Sequence, residues 1–196
     1  MNFQLFVNPS SSKAKRFTVT VFGAESTGKT TLSQQLAKSY RATWLHEFAR
    51  PYLELTHKPI SPESMTAIWH GQYILQTMAS GTLVIQDTDL FSTLGYWQFP
   101  HWRSVLGACP EQLIQNACTL QSDLYLITPS TIPFEADSLR YDGDHREGSD
   151  EYWVNVRKHY NLPYVILESR SQKDRLAEAR HIINHHLKRS LTCVAL

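Results

Sequence analysis

Residues Gly23-Ala24-Glu25-Ser26-Thr27-Gly28-Lys29-Thr30 fit the pattern G-x-x-x-x-G-K-[ST] at every position. The spacing has a chemical reason. Successive backbone N–H groups must curl inward around phosphate oxygens, and glycine permits both the unusual dihedrals and the close approach. A helix opening near Lys29 turns its positive end toward the same anion. Lys29 then reaches the β- and γ-phosphates, Thr31 continues the nucleotide-binding run, and the Thr30 hydroxyl is placed for Mg²⁺. Together these residues imply a bound nucleoside triphosphate, with ATP as the expected co-substrate.

Acidic residues stand at two further points where strands are expected to end. Asp87 and Asp89 follow the apolar run Leu83 to Gln86. Asp87 is placed to hold Mg²⁺ through water, or to orient or deprotonate a substrate hydroxyl. Asp89 either joins it at the substrate or caps the helix that begins near Leu90. Glu47 closes another short strand, and Arg50 follows. That carboxylate can accept a proton from an attacking hydroxyl or hold sugar hydroxyls, and Arg50 can neutralise phosphate charge or fix Glu47. His46, Tyr96 and Trp97 are candidates for stacking on a flat ring. Trp69, Trp102 and Trp153 read as packing residues.

Phe134 to Glu147 is polar, charged and glycine-containing, and reads as a lid. A lid excludes water, so that a phosphoryl group passes to its acceptor and not to solvent. Arg140 is the candidate for the transferring phosphoryl group and Arg146 for ATP. Asp137, Asp142 and Asp144 are placed to position these arginines, and Asp137 is also a candidate for binding the substrate.

Alternating elements must hold these groups. Phe17 to Phe22, Thr43 to Leu45, Leu83 to Gln86, Leu124 to Thr128 and Tyr164 to Leu167 are short apolar or β-branched runs, the pattern of buried strands. Helices are expected over Lys29 to Tyr40, over Pro62 to about Ala79 with Gly81 ending it, over Asp150 to Tyr160 and over Asp174 to Lys188. Ser61 reads as the cap of the second of these. Met65, Ile68, Trp69, Gln72 and Leu75 form one stripe along it. Strand–helix alternation implies an α/β domain with a five-stranded parallel sheet covered on both faces. In such a sheet ligands bind at the carboxyl ends of the strands, where the candidate residues lie.

Composition narrows the function. Lys and Arg number 19 against 18 Asp and Glu, a balance that does not suit a chain built to grip nucleic acid. No apolar run approaches membrane-spanning length. Cys109, Cys118 and Cys193 lack metal-ligand spacing and read as reduced thiols of a cytoplasmic protein. His181 and His185 have i, i+4 spacing but no carboxylate completes a metal pattern, so they read as a solvated helix face. Residues 1–16 read as a flexible lead-in, and 17–196 as one domain.

Four segments in order carry a more specific likeness: GAESTGKTTL (Gly23 to Leu32), HEFARPYLE (His46 to Glu54), QDTDLFSTLGYW (Gln86 to Trp97) and ADSLR (Ala136 to Arg140). The sequence resembles the ribosylnicotinamide kinase domain of bifunctional bacterial NAD-biosynthesis and regulatory proteins. The resemblance spans about Phe17 to Leu187. It implies a P-loop kinase fold with strand order 2-3-1-4-5 and phosphorylation of nicotinamide riboside to the mononucleotide, with ATP and Mg²⁺. Two departures are visible. The larger members carry an adenylyltransferase domain, and often a DNA-binding domain, so neither activity is expected here. His46 stands where an aromatic ring is expected beside the acid of the second strand. Two rival readings stay open at this point: a kinase of another small nucleoside or vitamin alcohol, and a regulatory P-loop NTPase.

Overall fold

Val19 and Val21 point to one side of the first strand and Thr20 and Phe22 to the other, and all four are buried. A strand buried on both sides must lie inside a sheet that is itself covered on both faces. The computed structural model, which describes residues 16–130 and 149–192, has that architecture. β1 (Phe17–Phe22), β2 (Thr43–Leu45), β3 (Leu83–Asp87), β4 (Leu124–Ile127) and β5 (Tyr164–Ile166) form one parallel sheet in the order β2-β3-β1-β4-β5. This is the order that the resemblance implies.

α1 (Lys29–Tyr40) and α8 (Gln172–Thr192) cover one face. Leu32 and Leu36 of α1 and Ala179 and Ile183 of α8 pack there on Val19, Val21, Ile85 and Leu126. The other face carries α3 (Pro62–Met78), α4 (Leu90–Gln98), α6 (Glu111–Thr119) and α7 (Ser149–His159), with the short α2 (Ala49–Thr56) and α5 (Pro100–Leu106) at the carboxyl edge. Phe22 and Tyr125 supply the sheet's side of that core, against Phe91, Leu94, Trp97 and Trp153.

The elements begin and end for local reasons. Ser61 caps α3: its hydroxyl accepts from Ser64 N at 3.2 Å, the Ser64 hydroxyl accepts from Ser61 N at 2.9 Å, and Pro62 takes the first helical position. The helix stops at Met78 because Ala79 turns extended, and Gly81, at φ 106°, makes the turn into β3. α2 has no counterpart in the sequence reading. Its Pro51 lies in the first turn, where the missing N–H is not needed.

The Val21–Asp87 pairing fixes the register between β1 and β3, and Thr88 N donates to Val21 O at 3.1 Å. The phosphate loop and the acidic strand end therefore leave the sheet side by side. Residues 1–15 of the expected lead-in and the lid with Asp137, Arg140 and Arg146 lie outside the described residues, as does Cys193. Among the described residues no helix is long and apolar enough to cross a membrane, and no three His, Cys, Asp or Glu side chains cluster as metal ligands.

Candidate active site

Gly23 leaves β1 at φ 146°, and a Cβ there would sit 2.4 Å from the Thr128 carbonyl oxygen. Only glycine suits that start to the loop. Ser26 and Gly28 follow with φ of 55° and 79°, so the chain curls back on itself. Buried Thr27 pins the curl. Its hydroxyl donates to Ala24 O at 2.9 Å and lies 2.7 Å from the Thr128 hydroxyl. The Lys29 ammonium donates to Ala24 O at 2.6 Å, inside the loop. α1 begins with no side-chain cap and no acidic residue in its first turn. Its positive end is therefore not neutralised by a side chain of the helix itself and faces the loop.

Arg175 was not foreseen. From the first turn of α8 its guanidinium donates to Thr27 O at 2.9 Å and to Ser169 O at 3.1 Å, so it braces the phosphate loop from behind. One signal for it is visible in the sequence: a cation in a helix's first turn opposes the helix dipole and needs another reason to be there.

Beside the loop stand two carboxylates. Asp87 is 2% exposed, and burial raises its pKa. The Thr30 hydroxyl donates to it, while Lys29 and Arg50 partly offset the burial. Its Oδ1 is buried without a hydrogen-bond partner. A threonine hydroxyl bonded to a carboxylate with an oxygen to spare is a donor set of hard oxygens that fits Mg²⁺, which takes few protein ligands beside phosphate and water. Glu47 lines the cavity in front of the loop. Burial raises its pKa most; Lys29 and Arg50 pull it down, and Asp87 and Glu25 push it up. Arg50 lines the same cavity and pairs with Glu54 at 3.6 Å.

The cavity holds about 680 Å³, within the range of small-molecule sites. Gly28, Lys29, Thr30 and Thr31 form one end, with Arg170, Gln172 and Arg175 beside them. The other end is an apolar chamber of Leu53, Ile60, Met65, Ile68, Trp102 and Leu106. Tyr96 stands in the wall, its hydroxyl donating to Glu25 Oε1 at 3.3 Å. Trp102, read from sequence as a packing residue, is part of the chamber, whereas Trp69 and Trp153 are in the core as expected.

Three sequence candidates are placed elsewhere. Asp89 does not line the cavity. Its Oδ1 accepts from Phe91 N at 3.0 Å, capping α4, and its Oδ2 accepts from the Tyr125 hydroxyl at 2.7 Å. Two residues apart on a strand, Asp87 and Asp89 would share a face, but Thr88 at φ 64° breaks the alternation. Trp97 is 3% exposed in the core, because successive helical residues point about 100° apart and Tyr96 takes the cavity side. His46 is exposed, with its Nδ1 2.8 Å from Glu47 O and its ring 6.2 Å from that of Trp44.

The profile of the AAA domain family matches residues 18–175. The chain belongs to that family. This AAA-domain chain also shares its fold with solved structures. A structure of NadR protein in complex with NR superposes with a TM-score of 0.69 at 23% identity, over 87% of this chain and 50% of that one. A second, of NadR protein in complex with NAD and AMP-PNP, gives 0.69 at 24% identity, over 87% and 49%. Thymidylate kinase from Ehrlichia chaffeensis gives 0.61 at 12% identity, over 86% and 99%. The chain thus spans about half the length of the NadR structures. No curated protein sequence matches it.

Proposed function

We propose that this AAA-domain protein is an ATP-dependent kinase that transfers the γ-phosphate to the 5′-hydroxyl of nicotinamide riboside, giving the mononucleotide, in the cytoplasm. The observation that carries this reading is the continuity of the cavity. The phosphate loop and the apolar group of Leu53, Ile60, Met65, Ile68, Trp102 and Leu106 line one and the same cavity, and Glu47 is in its wall. A hydrolase that only switches between nucleotide states needs no such chamber. The four sequence segments and the fold shared with a NadR protein crystallised with NR support the choice of riboside.

The reaction follows from the residues. The riboside hydroxyl oxygen attacks the γ-phosphorus in line. The bond from that phosphorus to the bridging oxygen breaks, ADP leaves with the electron pair, and the hydroxyl proton passes to Glu47. Of the three carboxylates left open by the sequence, Glu47 lines the cavity, whereas Asp87 is bonded to Thr30 and Asp89 is engaged by Phe91 N and Tyr125, which favours Glu47 as base and Asp87 on the metal side. Mg²⁺, when bound there, neutralises charge on the phosphates. Lys29 and the N–H groups of the loop stabilise the transferring phosphoryl group. Arg140 for that group, Arg146 for ATP and Asp137 for the substrate side remain proposals from the sequence.

The test is ADP release from ATP and Mg²⁺ with and without nicotinamide riboside, with the mononucleotide sought by mass. Riboside-dependent ADP and the matching mass are expected, and Lys29→Ala should abolish both while leaving the fold intact. Stimulation by a different nucleoside alone would replace the substrate; slow release indifferent to every acceptor would overturn the kinase.

A further inference from the structure

Two glutamines one helical turn apart on α3 are treated differently by their surroundings. Gln76 is tied to main chain at both ends: its Oε1 accepts from Leu90 N at 3.0 Å and its Nε2 donates to Leu120 O at 3.5 Å. Gln72 is tied at one end only. Its Oε1 accepts from Phe48 N at 3.0 Å, its Nε2 has no hydrogen-bond partner, and the side chain is 3% exposed. Gln72 alone of the two is part of the cavity wall, among Leu53, Met65 and Ile68.

The orientation of its amide is not free. A backbone N–H can only donate, so the atom facing Phe48 must be the carbonyl oxygen, and the NH₂ group is held on the other side. Phe48 cannot drift from this contact, because its ring packs where a side chain on Gly71 would be: a Cβ there would lie 2.2 Å from Phe48 Cε1. A buried donor left unmet is costly, and an apolar residue would fill the same space without that cost. A donor held unmet in a cavity wall beside Leu53, Met65 and Ile68 is an arrangement by which a site rejects ligands that lack the matching acceptor.

We propose that Gln72 is the specificity-determining residue of the acceptor site: its Nε2 donates to a carbonyl oxygen carried by the substrate's flat ring when that ring lies in the apolar chamber. The inference rests on the riboside-kinase reading and names the ring chemistry that this site selects. A ring carboxamide satisfies it; a bare ring of the same size does not.

Calorimetric binding to the full chain, with AMP-PNP and Mg²⁺ present, compares nicotinamide riboside with pyridinium riboside, which lacks the carboxamide. The wild type is expected to prefer the carboxamide by about tenfold or more. Gln72→Glu keeps an acceptor for Phe48 N while removing the NH₂ group, and Gln72→Met removes both. In each, the preference should fall to less than about threefold. In turnover the loss should lie in KM more than in kcat, since the contact is remote from the reacting atoms. Equal binding of the two ribosides by the wild type, or an undiminished preference in both variants, would overturn the assignment of Gln72 and leave the kinase standing. Binding of neither riboside would overturn it together with the choice of substrate.

Discussion

The guanidinium carbon of Arg157 lies 3.3 Å from the centre of the Phe22 ring, one residue before the phosphate loop begins. Tyr125 and Phe91 add faces at 4.7 and 5.3 Å, and no side-chain nitrogen of Arg157 has a hydrogen-bond partner. Burial pulls its pKa down to about 10, opposed mainly by the charge of Asp89. A cation in an aromatic cage is thus balanced by a carboxylate that caps α4 and accepts from Tyr125.

Asp89→Ala should therefore be among the most damaging single changes. It removes a cap, a buried hydrogen bond and the counter-charge of Arg157 at once, for a loss of about 3 kcal/mol or more. Urea denaturation checks this, and a loss below about 1 kcal/mol would mean the pair is not coupled. Turnover should follow the folded fraction.

Asp87→Asn should behave in the opposite sense on stability. The pKa of Asp87 is raised in the fold, mainly by burial. Such a group contributes stability below the ordinary carboxylate pKa, near 4, and that contribution is lost as pH rises through the raised value. At pH 7 the ligand-free variant, which keeps an acceptor for Thr30, should melt above the wild type while phosphoryl transfer falls by about 10²-fold or more. Equal melting temperatures would show that the charge costs the fold nothing.

The acid limb of the pH–rate profile should report Glu47. Its pKa is raised by burial, with Asp87 and Glu25 adding to the rise against Lys29 and Arg50. A base must be ionised to take a proton, so kcat/KM should fall with decreasing pH at values above the ordinary carboxylate range, near 4. Glu47→Gln should lower the rate and abolish that limb. A limb unchanged in the variant would assign it to another group.

Gly95→Ala tests packing beneath the site. A Cβ there would lie 2.3 Å from Trp153 Cζ3, and Gly95 O accepts from the Tyr152 hydroxyl at 2.6 Å. The added methyl group must separate α4 from α7, at a cost of about 1–3 kcal/mol. A thermal melt unchanged from wild type would show that Trp153 can move aside.

What the sequence made legible follows the range of the interactions involved. The phosphate loop is a local chain geometry, so its residue types and spacing suffice to find it. All five strands are short apolar runs with clear stops, and their ends fall within a residue of the expected ones. Asp89 and Trp97 were harder, because their direction depends on one left-handed residue, Thr88, and on which side of α4 faces the core. The chamber was harder still. Leu53, Ile60 and Trp102 come from α2, the connection between α2 and α3, and α5, and in a linear reading each is an ordinary packing residue. Gln72 and Arg175 left traces, a polar residue in an apolar stripe and a cation at a helix start, that acquire meaning only once their neighbours are known.

The pairing of Val21 with Asp87 also bears on how this chain can change over time. Loss or gain of one residue within β1 or β3 would reverse the faces of everything beyond it and carry Asp87 away from Thr30. Homologues that retain the activity should therefore vary in length at the connections between elements and hold these two strands to a constant residue count. A library built by insertion scanning would show the same silence there, however tolerant the surrounding helices prove to be.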